Sequence, residues 1–231
     1  MKRSIFSALR TSVAVLLLLP CLATFALAGP PLICHPFDIG KARSLPWNGT
    51  AWDLSGNENY DTRNLVRDTL AILDSGAPAI VRMETLRRAT LYMRKDPQAA
   101  KELFTKLHAR AVSPGASGLA YFDAGYLAET YNQWTSAGKG GSNPAAGIDG
   151  YSLVGKALTL RPDDAEMEFA AALMTLHGPE KEHLLHAQKA MAGAKGDALL
   201  ARNLASHFLG NEKQTVAEAL TRTAAGGGER K

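Results

Sequence analysis

Residues 156–169, KALTLRPDDAEMEF, hold the signals that decide the fold of this chain. A helical apolar pattern stops at Pro162, because proline lacks the main-chain N–H and its ring clashes with the preceding helical turn. Either Asp163 or Asp164 then supplies an N-cap for a second helix, which is rich in alanine. Two helices joined by so short a turn are expected to pack side by side.

Helical patterning continues on both sides of this junction. Apolar residues recur at three- and four-residue steps, and no stretch alternates between apolar and polar residues as a half-buried strand does. The sequence predicts helices over about residues 61–74, 80–95, 97–112, 118–134, 151–160, 165–176, 180–192, 198–209 and 214–222. Asp96 is predicted to cap one of them, with Pro97 at its first position. We therefore predict an all-α domain over residues 61–222 and a flexible tail over residues 223–231.

Small residues recur at a matching position in three of the predicted helices. The three segments are Leu127-Ala128-x-x-Tyr131, Ala171-Ala172-x-x-Thr175 and Leu204-Ala205-x-x-Phe208. The last two start 33 residues apart, and the first two start 44 residues apart because a glycine-rich loop lies between them. This pattern resembles the tetratricopeptide repeat, a two-helix unit of about 34 residues.

Further positions carry the same resemblance. Gly150, Val154, Ala157 and Pro162 are similar to the small and apolar positions of the second helix of the repeat and to its exit proline. The resemblance implies a short α-solenoid of antiparallel helix pairs, in which small residues let adjacent helices approach closely. Thr175 departs from the repeat, which usually has an aromatic residue there. The alternative is a non-repetitive helical bundle with alanine-rich interfaces.

Residues 29–60 differ in composition from the rest of the chain and lack its helical apolar pattern. Four prolines lie between Gly29 and Asn59, and each removes a main-chain donor and favours extended conformations before it. We predict an irregular, extended N-terminal arm. Its stretch PLICHPFDIGKARSLPW resembles the N-terminal part of uncharacterised exported bacterial proteins, a resemblance that implies no activity.

Residues 1–28 have the pattern of a secretory signal peptide. Three basic residues precede an apolar run, and Ala26-Leu27-Ala28 provides a small-residue cleavage site. We expect cleavage after Ala28 and export to the periplasm or the medium, without stable membrane insertion afterwards. A membrane anchor is the rival interpretation, but Pro20 interrupts the run. Lipid attachment at Cys21 is a second rival.

Removal of residues 1–28 changes both the charge and the cysteine content. The segment contains three of the 26 basic residues and none of the 22 acidic ones, so the remaining chain has a net charge of +1. The main argument for a nucleic-acid partner disappears with the clustered positive charge that such binding requires. Cys34 is then the only cysteine, and no intramolecular disulfide can form.

Several residues are candidates for chemistry, each with a structural alternative. Cys34 and His35 could act as a nucleophile or bind a metal, but neighbours in an extended arm point to opposite sides. His183 and His186 lie three apart on one helix face, yet the HExxH zinc pattern is absent and a solvated face is favoured. No metal or cofactor is expected.

Carboxylate and aromatic candidates are equally open to a structural interpretation. Glu129 could serve as a general acid, although a glycosidase would need a second carboxylate and only Asp123 is near in sequence. An ordinary polar helix position is favoured for Glu129. Trp47 and Trp52 could stack on a ligand, but such rings more often anchor an arm onto a helical surface. The glycine-rich loop lacks the pattern of a phosphate-binding loop.

These features lead to one expected function and two alternatives. Stacked helical repeats form a concave face that commonly binds peptides or protein surfaces. We predict an exported, non-catalytic scaffold that binds a protein or peptide. The alternatives are a cell-envelope enzyme on a helical scaffold, and a structural domain whose groove is filled by its own arm.

Overall fold

The computed structural model describes residues 30–49, 54–92, 94–138 and 142–209. The predicted signal peptide, Trp52, and the predicted helix and tail beyond residue 213 lie outside the described residues. Among the described residues, no helix has the length and apolar composition that crossing a membrane requires.

The described residues form eight α-helices and no strand, which confirms the all-α prediction. The helices are α1 (Leu65–Leu73), α2 (Ala79–Tyr92), α3 (Pro97–Ala111), α4 (Gly118–Ser136), α5 (Gly150–Leu160), α6 (Ala165–Met174), α7 (Glu180–Gly193) and α8 (Ala198–Leu204). A π-helical turn, Ala205–Leu209, follows α8 directly. The helix predicted over residues 198–209 therefore changes its winding at Ala205.

Four of these helices have an aspartate as N-cap residue. Each accepts a hydrogen bond from a main-chain N–H of the first turn, which would otherwise lack a partner. The capping residues are Asp96 for α3, Asp149 for α5, Asp164 for α6 and Asp197 for α8. The caps predicted at Asp96 and at the Pro162 junction are confirmed, and Pro97 occupies the start of α3.

Helices α4 and α5 cross closely at two glycines. A Cβ atom on Gly125 would stand 2.6 Å from the carbonyl oxygen of Gly150, too close for any side chain at that position. Glu129 strengthens the same junction, because its Oε1 accepts a 3.1 Å hydrogen bond from the Gly150 N–H. In the next pair along the chain, α6 packs mainly against α7.

Helix α2 occupies the centre of the described structure. It contacts α1, α3, α4 and α6, and all but one of its residues are buried. Residues 30–49, which contain no helix or strand, also lie against it and bury Leu32, Ile33, Phe37 and Leu45. We call residues 30–49 the N-terminal segment. The candidate site lies where this segment meets the helices.

Candidate functional site

Helix α2 carries four charged side chains in the interior, three of them buried and Arg88 partly buried, a costly arrangement unless each finds partners. They are Arg82, Glu84, Arg87 and Arg88. Arg82 faces away from the N-terminal segment and pairs with Asp123 of α4, with 2.6 Å between its Nη1 and the Asp123 Oδ2. It also donates to the carbonyl of Ala77, 2.7 Å away, so it ties α4 to the turn before α2.

The other three charges bind the main chain of the N-terminal segment. Glu84 accepts from the Phe37 N–H at 3.0 Å and from Nε of both Arg87 and Arg88. Arg87 donates to the Ile33 carbonyl oxygen at 3.1 Å. Arg88 donates to the Leu45 carbonyl oxygen at 2.6 Å. The buried charges are therefore compensated partly by one another and partly by main-chain groups of the segment.

Helix α8 binds the same segment through Asn203, whose side chain is fully buried. Its Oδ1 accepts the Asp38 N–H at 2.9 Å, and its Nδ2 donates to the Asp38 carbonyl oxygen at 2.8 Å. Both main-chain groups of one residue are thus bound by one amide side chain. Gln133 of α4 adds a further contact, because its Oε1 accepts the Leu32 N–H at 3.0 Å.

Five side chains from three helices bind main-chain groups of the segment between Leu32 and Leu45. They are Glu84, Arg87, Arg88, Gln133 and Asn203. We call these five side chains the main-chain site. It holds an irregular polypeptide segment, with turns at residues 30–34 and 39–42, by main-chain groups.

The side chain of Asp38 points out of this site toward Arg202. Arg202 Nε lies 2.6 Å from Asp38 Oδ2, and the Gly40 N–H donates to the other carboxylate oxygen. Partial burial raises the pKa of Asp38, but these hydrogen bonds and the charge of Arg202 outweigh it and leave the pKa below its ordinary value. The carboxylate is therefore held in its charged form.

The side chain of Phe37 enters a pocket of aromatic rings. It stacks on His207 with 4.6 Å between ring centroids, and it meets the edge of Phe169 at 6.0 Å. The ring of His35 lies 4.2 Å from that of His207. Burial, together with the nearby His35, lowers the pKa of His207 to about 3, so the imidazole is neutral near pH 7.

Trp47 marks the far end of the N-terminal segment. Its ring lies 5.1 Å from the guanidinium carbon of Arg87 and 5.9 Å from that of Arg88, which favours cation–π attraction. The edge of Tyr92 packs against it, and the Tyr92 hydroxyl donates to the Pro46 carbonyl. The Trp47 ring therefore packs against side chains of α2.

The two histidines predicted on one face of α7 have different partners. His183 Nδ1 lies 2.9 Å from the Ala172 carbonyl oxygen. His186 lies between the Tyr151 hydroxyl, 2.8 Å from its Nε2, and the buried Glu168 carboxylate at its Nδ1. No group of three histidine, cysteine or acidic residues in the described ranges could hold a metal ion. The interactions of His186 join α5, α6 and α7.

Asp123 and Glu129 also interact with different partners. Burial raises the pKa of Asp123 to about 6, although the neighbouring Arg82 opposes this shift. Burial raises the pKa of Glu129 as well, while bonds from Asn132 and Gly150 act in the opposite direction. Asp123 pairs with Arg82 of α2, whereas Glu129 accepts hydrogen bonds from Asn132 of α4 and Gly150 of α5. The two carboxylates are not hydrogen-bonded to each other. Cys34 is half-buried beside His35 in the N-terminal segment.

Sequence reasoning did not identify the residues of the main-chain site. Charged residues on a helix usually mark its solvated face, and Glu84, Arg87 and Arg88 fit that pattern. One signal was available, because Glu84 lies three and four residues before the two arginines, a spacing that permits side-chain pairing on one face. Nothing local distinguishes Asn203 from an ordinary polar position.

The chain matches no protein-family model, no curated protein and no solved structure at a significant level.

Proposed function

We propose that this protein is an exported, non-catalytic interaction module whose main-chain site binds an irregular, non-helical polypeptide segment. Five side chains from α2, α4 and α8 direct their hydrogen bonds to main-chain groups, which are common to all polypeptides. Export rests on the signal-peptide pattern of residues 1–28. The partner is a protein or peptide.

The observation that carries this proposal is the pair of hydrogen bonds between Asn203 and Asp38. A buried amide that loses its partners is costly, so Asn203 requires an occupant whose main chain offers one donor and one acceptor together. A polypeptide main chain has this arrangement at every residue except proline. The same requirement applies to the buried Glu84 and Arg87.

A short tetratricopeptide-like solenoid is part of the proposal. The α4–α5 and α6–α7 pairs follow one another along the chain, as two-helix repeats do. Gly125 and Gly150 support it, because they give the close helix contact that small residues provide in such repeats. Residues 30–49 then serve as an arm that fills the inner face.

The enzyme alternative has weaker support. Glu129 and His186 are hydrogen-bonded to different neighbours. Two hydroxyl–imidazole pairs are hydrogen-bonded, Tyr151 with His186 and Ser206 with His207, but burial lowers the pKa of His207 to about 3, which makes it a weak general base. The Tyr151 hydroxyl that contacts His186 has a raised pKa because of burial and nearby carboxylates, which opposes a nucleophilic role.

The second candidate function is a structural domain that never releases its own N-terminal segment. The observation that favours it is the burial of Leu32, Ile33, Phe37 and Leu45, since apolar burial contributes about 1.5 to 3 kcal/mol for each fully buried side chain. Both candidates use the same contacts. They differ in whether the segment exchanges with another polypeptide.

An exchange experiment separates the two candidates. A specific protease site inserted between Gly49 and Thr50 allows the folded chain to be cut, and a fluorescent peptide of residues 30–49 is then added in excess. We expect saturable binding, measured by anisotropy, as the labelled peptide replaces the cleaved segment. The matched variant is Asn203→Leu, which keeps the side-chain size but loses both bonds to Asp38 and should bind the peptide more weakly.

Retention of the original segment until the helices unfold, with no uptake of labelled peptide, would contradict the proposal and favour the structural domain. An Asn59→Leu variant serves as the matched control for the change of asparagine to leucine, because Asn59 is exposed and lies after the cut, so it stays in the cleaved protein.

A further inference from the structure

The N-terminal segment is bound by two kinds of contact with different consequences for selectivity. The main-chain site holds groups that carry no sequence information. Side chains of the segment, in contrast, enter surroundings that fit particular residue types. The partner preference of the proposed module, on which this inference rests, is therefore set at the positions where side chains are recognised.

The first such position is that of Phe37. Its side chain is 3 % exposed and lies between the faces and edges of His207 and Phe169, both supplied by the helices. Parallel stacking on a neutral imidazole and an edge contact both favour a flat aromatic ring. A small residue would leave the pocket partly empty.

The second position is that of Asp38, the next residue. Arg202 binds its carboxylate, and Asn203 binds its main chain on the same turn of α8. The side chains of Asp38 and Arg202 are 43 % and 55 % exposed, so solvent screens their ion pair. The pair therefore contributes selectivity rather than much affinity. A basic residue at this position would instead meet the like charge of Arg202.

The third position is an apolar pair upstream. Leu32 and Ile33 are both fully buried, and Gln133 and Arg87 hold their main-chain groups. Phe37 is the fifth residue after Leu32. An occupant must therefore supply two adjacent apolar residues, then a short connection, then the aromatic residue.

We infer that the main-chain site accepts a segment of a second polypeptide with this pattern: two adjacent apolar residues and, five residues after the first, an aromatic residue followed directly by an acidic one. This segment replaces the N-terminal segment and makes the same contacts with Asn203, Arg202 and the Phe169–His207 pocket. The partner is a protein or peptide that contains such a stretch outside its helices and strands.

The tethered segment competes with any such partner. A linked occupant acts at an effective concentration of about millimolar, so only a partner that matches the pattern can displace it. Intact protein should therefore bind a matching peptide at least about tenfold more weakly than protein cut between residues 49 and 50.

The test uses the cut protein and labelled peptides of residues 30–49 kept in reductant. Phe37→Ala in the peptide should weaken binding by at least about tenfold, because it empties the aromatic pocket. Asp38→Lys should weaken it about two- to fivefold on the unaltered protein. On protein with Arg202→Glu the preference should reverse, so that the Asp38→Lys peptide binds better than the original one.

A Lys41→Ala peptide is the matched control, because Lys41 is exposed, and its affinity should stay unchanged. Equal binding of all the peptides would overturn the inferred pattern while leaving the proposed function intact. Binding of no peptide by the cut protein would overturn both. Circular dichroism of the Arg202→Glu protein ensures that a lost preference reflects the charge and not unfolding.

Discussion

Glu84, Arg87 and Arg88 show how single residues couple the N-terminal segment to the helices. Glu84 is fully buried and accepts hydrogen bonds from both arginines and from the segment. Removing one member of a buried charged group costs about 3 to 5 kcal/mol, because the remaining charge loses its partner. These residues therefore make the segment part of the folded structure, and its release has to be compensated by another occupant.

His207 should make the stability of the protein sensitive to mild acid. Its pKa is about 3 when folded and about 6.5 when unfolded, so the unfolded chain binds the extra proton between these values. Stability is then present above pH 6.5 and falls as the pH drops toward 3, by up to about 1.4 kcal/mol per pH unit. The free energy of unfolding, measured by urea denaturation from pH 7 to pH 4, should fall less in His207→Phe.

Asp123 acts in the opposite direction, because its raised pKa makes the folded state bind a proton more readily between pH 3.8 and about 6. Both the original protein and His207→Phe contain Asp123, so its contribution to the pH dependence of stability cancels when the two are compared. Identical pH dependence of the two proteins would show that His207 is not the group responsible.

At the scale of helices, the crossing of α4 and α5 depends on the absence of side chains. A Cβ on Gly150 would stand 2.7 Å from Glu129 Cγ and also meet the Gly125 carbonyl. We expect Gly150→Ala to lower the free energy of unfolding by about 1 to 3 kcal/mol, as overpacking of a close contact does. Thermal and urea denaturation measure the loss.

Gly155 on the same helix is the matched control. A Cβ there meets nothing within 4 Å, and the position lies inside α5. Gly155→Ala should raise stability by about 0.5 to 1 kcal/mol, since alanine restricts the unfolded chain and favours a helix. A Gly150→Ala protein as stable as Gly155→Ala would show that the two helices can separate without cost.

For the whole molecule, the predicted export signal ends immediately before the N-terminal segment. We expect the exported protein to begin at Gly29, because Ala26-Leu27-Ala28 offers the small residues that cleavage requires. N-terminal sequencing of protein from the envelope and the medium measures this. A protein that retains Met1 in the membrane fraction, or carries lipid on Cys21, would contradict the expected processing.

The described helices were largely predictable, because their signals are local. Pro162 with Asp164, and Asp96 with Pro97, mark helix boundaries within a few residues of one another, and capping depends only on that short range. Helical periodicity alone was enough to predict an all-α chain.

The main-chain site was decided only by tertiary structure. Phe37 and Glu84 lie 47 residues apart, and Asp38 and Asn203 lie 165 apart, so their hydrogen bonds leave no periodic trace in the sequence. A charged residue on a helix is expected from sequence to be exposed to solvent, because the sequence does not show which distant segment covers it. Here the N-terminal segment covers these residues of α2, and its main-chain groups supply hydrogen-bond partners for charges that the sequence alone would place in solvent.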